Sequence, residues 1–146
     1  MRRLPGLAVL LLAVLLLGAA CSSSDEEPQG GASGGSEGGQ ITINGDKAND
    51  HGSADVAGKD ETELEADDFY FEPTTLTGTA GQTLKLELKN EGGAEHNFSI
   101  DDQNIDQDVE AGEDAEVTVT FPDSGVLEFY CKYHRTSGMV GQLTTS

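Results

Sequence analysis

One stretch constrains this chain more than any other: Tyr130-Cys131-Lys132-Tyr133-His134-Arg135-Thr136-Ser137-Gly138-Met139. It sets a thiolate, an imidazole and a thioether at spacing C-x2-H-x4-M, close to the end of a β-patterned region. Soft sulfur donors beside an imidazole suit a soft or borderline transition metal and serve hard ions poorly. A second imidazole would complete a trigonal His2Cys set with a weak axial Met, and only His51 and His96 are available to supply it. His96 stands in the strand-like run Glu95-His96-Asn97-Phe98-Ser99-Ile100. It lies about 35 residues before Cys131, a separation that a β-sandwich brings together. His51, in the polar stretch Lys47–Ser53, has only Asp50 beside it and is expected to be an ordinary loop histidine.

The residues around these donors alternate. In Thr83-Leu84-Lys85-Leu86-Glu87-Leu88-Lys89 three leucines face one way and charged groups the other, the period of a half-buried strand. Leu64 with Ala66, and Val117 with Val119 and Phe121, repeat it. Ala80-Gly81-Gln82, Asn90-Glu91-Gly92-Gly93 and Pro122-Asp123-Ser124-Gly125 read as turns. Seven or eight short strands without a helical period predict an all-β, antiparallel Greek-key sandwich. Phase adds a test of the donors. Cys131 shares a strand face with Leu127 and Phe129, His96 with Phe98 and Ile100, and Met139 with Leu143. A slip of one residue would turn any of them outward, so their common inward phase is what a buried single-metal site requires.

Two nitrogens, one thiolate and a long thioether describe a mononuclear copper centre. Zinc would want four strong donors, and a dinuclear copper centre would want a second Cys in the same loop. The predicted ligands are His96, Cys131, His134 and Met139, holding one copper ion that cycles between Cu(I) and Cu(II). At these residues, over roughly Glu61 to Thr145, the chain resembles the cupredoxin family, nearest in loop length to its plastocyanin-like members. It departs from them in placing Tyr133 and Arg135 beside His134. The resemblance implies that Asn97 hydrogen-bonds the chain near Cys131, tying the two ligand segments together. It also implies that Tyr130 and the edge of His134 are electron exits. The expected task is electron transfer without enzymatic catalysis, the alternative being copper binding or delivery. Gly92, Gly93, Pro73 and Val140 are expected to form a small apolar contact patch around His134, which Lys132 and Arg135 make locally less negative.

Arg2-Arg3 and the apolar run Leu4–Leu17, followed by small residues and Cys21, read as an export leader. Its end is similar to a bacterial lipoprotein signal, in which Cys21 becomes the acylated N-terminus. A cleaved secretory peptide is the alternative, and a Cys21–Cys131 disulfide the alternative fate of the two cysteines. Residues 1–20 are thus assigned as signal, 21–40 as a lipidated N-terminus with a Gly/Ser-rich tether, and 61–146 as the sandwich domain. Residues 41–60 form an extension that the pattern leaves open, apart from a short Ile41-Thr42-Ile43 strand before an Asn44-Gly45 turn. The chain carries 27 acidic against 8 basic side chains, for a net charge of −19. Such a surface repels phosphate backbones, which excludes nucleic acid, and favours a basic or mixed-charge redox protein as donor and acceptor. A monomer held by its lipid at the outer face of a bacterial cytoplasmic membrane is expected, with a soluble periplasmic or secreted form as the alternative.

Overall fold

The computed structural model describes residues 38–146. The expected leader, Cys21 and nearly all of the tether lie outside the described residues. Twelve strands follow one another from there. A hairpin of β1 (Gly39–Ile43) and β2 (Asp46–Asp50) comes first, then β3 (Ser53–Asp55), β4 (Glu61–Asp67), β5 (Tyr70–Glu72) and β6 (Thr75–Gly78). The chain continues through β7 (Thr83–Asn90), β8 (His96–Ile100), β9 (Ile105–Val109), β10 (Asp114–Thr120), β11 (Val126–Tyr130) and β12 (Val140–Thr145). Among the described residues, no helix is long and apolar enough to cross a membrane.

Two sheets face each other across the core, one in the order β10-β7-β4-β5 and the other β3-β6-β12-β11-β8-β9. The all-β sandwich is as the alternation predicts. The pairing is mixed, however: β4 runs parallel to β7, and β3 and β12 both run parallel to β6. These partners are brought together by crossings between sheets or between sheet ends, and a strand returning that way enters its sheet in the same direction as its neighbour. Alternation reports which face a residue takes and says nothing of strand direction.

The period-two residues meet in the middle. Leu84, Leu86 and Leu88 of β7 are buried, as are Leu64 of β4, Phe98 and Ile100 of β8, Phe129 of β11 and Leu143 of β12. Each such side chain contributes ~1.5–3 kcal/mol by leaving water. Phe71, Phe98 and Phe129 form an aromatic cluster beneath the metal-ligand end, with ring centroids 5.0–6.1 Å apart. Phe129 lies opposite Gly141 in the β11–β12 register, and a Cβ there would stand 2.3 Å from the Phe129 ring. Only glycine leaves that ring its place.

Residues 41–60 are more ordered than their composition suggests. Asn44 and Gly45 both have positive φ (49° and 99°), as a tight two-residue hairpin turn demands. The predicted Ile41–Ile43 strand is present, but the stretch from Lys47 that reads as loop supplies β2 and β3 instead. Ile43 and Ala48 pack with Val140 in a second small core, joined by Ile41 and Tyr130. The hairpin therefore covers the start of β12, directly after Met139.

Candidate metal centre

Four segments meet at one end of the sandwich. Cys131 follows the last residue of β11, Met139 immediately precedes β12, and a single 3-10 turn at Arg135–Ser137 lies between them. The loop closes on itself through its backbone. The His134 N–H donates to the Cys131 carbonyl (3.1 Å), the Met139 N–H to the His134 carbonyl (3.2 Å) and the Cys131 N–H to the Met139 carbonyl (3.0 Å). Gly138 permits the reversal with φ of 95°, a conformation that side-chain-bearing residues rarely take. His96 enters from the start of β8.

His96, Cys131 and His134 present their donor atoms within 4.8 Å of one another. The two Nδ1 atoms lie 3.2 Å apart, and the Cys131 sulfur is 3.5 Å from His134 Nδ1. For metal–nitrogen bonds of about 2.0 Å and metal–sulfur bonds of about 2.3 Å, trigonal donors stand ~3.2–3.8 Å apart. The spacing and the donor set both fit one such ion. His96, Cys131 and Met139 are fully buried, and His134 reaches partway to solvent. Cys131 is a free thiol.

The carboxylate of Asp68 faces the far side of the His96 ring, with Oδ1 3.1 Å from Nε2. Accepting a hydrogen bond from Nε2–H there fixes the tautomer and leaves the Nδ1 lone pair aimed at the other donors. Burial, then the neighbouring His134, holds His96 below the usual histidine range, against the opposing pull of Asp68. The neutral imidazole, the form that ligates metal, is thereby favoured. Asp68 and its neighbour Phe69 carry no sequence signature. Phe69, one of the exposed large apolar residues, packs its ring 4.5 Å from that of His134.

Asn97 lies between the ligand segments. Its Oδ1 accepts from the Lys132 N–H (3.3 Å) and the Ser99 hydroxyl (2.6 Å), and its Nδ2 donates to Asp106 and Asp108 (2.8 Å each). Lys132 Nζ pairs with the same two carboxylates, at 2.7 Å from each. Lys132, then Asn97, holds both Asp106 and Asp108 below the usual carboxylate range.

Two surface expectations are corrected. Val140 is fully buried against the hairpin, so it contributes nothing to a contact patch; Phe69 and Tyr133 are the exposed apolar side chains beside His134. Lys132 and Arg135 do not leave the edge less negative. Each cation is matched by two acids, Asp106 with Asp108 and Asp46 with Glu128. Tyr130, expected as an electron exit, is half-buried. Its hydroxyl donates to Asp101 (2.7 Å), its ring packs with the hairpin cluster, and the Arg135 guanidinium lies 4.0 Å above it. His51 stacks on Tyr70 at 3.4 Å between centroids and is outside the ligand cluster.

Comparison with known proteins agrees with this geometry. A model of the cupredoxin-like domain matches residues 8–145. Plastocyanin A/B of Petroselinum crispum is 33% identical over 100 residues, 59% of this chain and 99% of the relative. The plastocyanin minor isoform of Arabidopsis thaliana is 36% identical over 100 residues, 58% of this chain and 56% of that protein. Among solved structures, reduced auracyanin from Roseiflexus castenholzii shares the fold with a TM-score of 0.52 at 20% identity, over 60% of this chain and 98% of its own. The chain belongs to the cupredoxin-like family, and its His96, Cys131 and His134 cluster, with Met139 closing the same loop, is typical of a type 1 copper site.

Proposed function

We propose that this protein is a one-copper electron carrier. The observation that carries the reading is the convergence of His96 with His134 and Cys131, the latter two on a backbone-closed loop, at coordination spacing in a largely buried site. Bound copper supplies one-electron exchange between its Cu(I) and Cu(II) states. The chain supplies the rest. Asp68 and Asn97 hold the ligand segments, the aromatic cluster keeps water out from below, and His134 with Phe69 offers a partly exposed edge to a partner. A site whose donors all come from the protein favours transfer of electrons over binding and turnover of a substrate. The acidic surface favours a basic or mixed-charge redox protein, met at the His134 end. Acylation at Cys21 would keep the carrier on the outer face of a membrane, and a Cys21→Ala variant should then leave the membrane fraction.

Reconstitution tests the reading. The oxidised protein should bind one copper and show an intense thiolate charge-transfer band, and Cys131→Ser should abolish it. Mixing reduced protein with an oxidised basic cytochrome in a stopped-flow instrument then separates carrier from delivery protein. Rapid oxidation with copper retained supports the carrier; sluggish exchange with ready copper loss to a metal-free acceptor overturns it.

A further inference from the structure

We propose that Asn49, on β2 of the N-terminal hairpin, is a positioning residue for the metal-ligand loop. The inference rests on the copper site described above and not on the electron-carrier role. Asn49 is far from the ligands in sequence, yet it touches both segments that frame them. Its Nδ2 donates to the Ser137 carbonyl (2.9 Å) and to the Phe69 carbonyl (3.0 Å). Its backbone N–H donates to the Gly138 carbonyl (2.9 Å). Ser137 and Gly138 lead directly into Met139, while Phe69 follows Asp68, the partner of His96, and packs on the His134 ring. One amide therefore joins the loop carrying Cys131, His134 and Met139 to the segment that orients His96.

The fit is close on all sides. A Cβ on Gly138 would lie 2.8 Å from the Asn49 amide, so the side chain rests against the loop backbone itself. Gln40 Nε2 donates to Asn49 Oδ1 (3.3 Å), which orients the amide with its N–H groups towards the two carbonyls. The Thr74 hydroxyl lies between the Asn49 carbonyl (3.1 Å) and the Phe71 carbonyl (3.0 Å) and shares its hydrogen with them, holding the backbone beneath the amide. Arg135, in the turn of the same loop, reaches Asp46 of β2 (2.7 Å), a second tie between hairpin and loop. Two donors on one rigid group are needed at this position. Alanine has neither, and aspartate keeps the shape but offers only acceptors to two carbonyl oxygens.

Amide hydrogen exchange of the copper-free full chain tests the brace without reference to the metal. In Asn49→Ala and Asn49→Asp, exchange at the Met139 and Cys131 amides should quicken about tenfold, the loss expected for one to two hydrogen bonds of local stability. In the copper-loaded variants the charge-transfer band and the reduction potential should both move. Val56→Ala, in the main core near the far end of β12, is the comparison, because it lowers overall stability without touching the loop. It should leave band and potential in place. The proposal is overturned if the Asn49 variants speed loop exchange no more than Val56→Ala does and leave the band unmoved. Should neither fold, Asn49→Ser is judged by the same criterion. Wild type that failed to bind copper would refute the copper reading, and the exchange data would still decide the brace.

Discussion

Gly92→Ala should displace His96 without replacing a ligand. A Cβ built on Gly92 stands 2.6 Å from His96 Nε2, 2.8 Å from Asp68 Oδ1 and 3.3 Å from Asn90 Oδ1. Ordinary contact begins at 3.4 Å, so ring or loop must yield by about 0.8 Å, several times the ~0.2 Å tolerance of a metal–ligand distance. The movement breaks the 3.1 Å contact between His96 and Asp68 and shifts the opposite nitrogen, Nδ1, away from the other donors. Hydrogen bonds to charged groups contribute ~1.5–3 kcal/mol. Losing a partner of this kind costs roughly 10–100-fold in metal affinity, which at 1.4 kcal/mol per tenfold is about the same quantity. Competition for Cu(I) against a chromophoric chelator reads the affinity, and the His96 ring proton resonances of the metal-free protein read the displacement. Gly93→Ala is the control, because its nearest neighbour, Asp68 Oδ2, would lie at an ordinary 3.5 Å. A Gly92→Ala protein with affinity within twofold of wild type and unmoved His96 resonances would refute the steric argument.

Met139→Leu should keep copper and raise the reduction potential, since the oxidised state loses the donor it values more; an unchanged or lower potential in voltammetry counts against Met139 as axial ligand. The Lys132 clasp should resist acid. Asp106 and Asp108 titrate below their ordinary 3.8 in the folded protein, so their contribution is present above that pH and is lost only as pH falls through the lowered values. Carboxyl carbon NMR should place both midpoints under 3.8, and a midpoint at or above it refutes the clasp. Phe69→Ala should slow electron exchange with a basic cytochrome at low and high salt alike, because it removes contact area and leaves the charge as it was. A loss confined to low salt would contradict that.

Phase carried much of this structure in the sequence. Leu84, Leu86 and Leu88 announce their strand, and the inward phase of His96, Cys131 and Met139 follows from apolar residues two or four positions away. Such local alternation survives folding because each strand has one buried face. What was not legible depends on partners distant in the chain. Lys47–Ser53 reads as loop because Ala48 is its one apolar residue, and the strand at Asp46–Asp50 exists through its pairing with β1 and its cover of Val140. Val140 looks like an exposed loop end until that hairpin covers it. Lys132 and Arg135 look like free cations until Asp106, Asp108, Asp46 and Glu128 arrive from other strands. Asp68, the residue that sets the His96 tautomer, is one carboxylate among 27 acidic side chains, with nothing local to mark it.

The short span from Cys131 to Met139 holds three of the four donors, and this bears on how copper and folding are coupled. Loop-closure entropy for so few residues is small, so a denatured chain can also gather thiolate, imidazole and thioether around an ion. Any affinity of the unfolded ensemble subtracts from the stabilisation that a ligand confers on the native one. The increment copper adds to the fold is therefore smaller than the total affinity implies. It is set by what the denatured chain lacks: His96, delivered from β8, and the closed backbone that holds the other three in place.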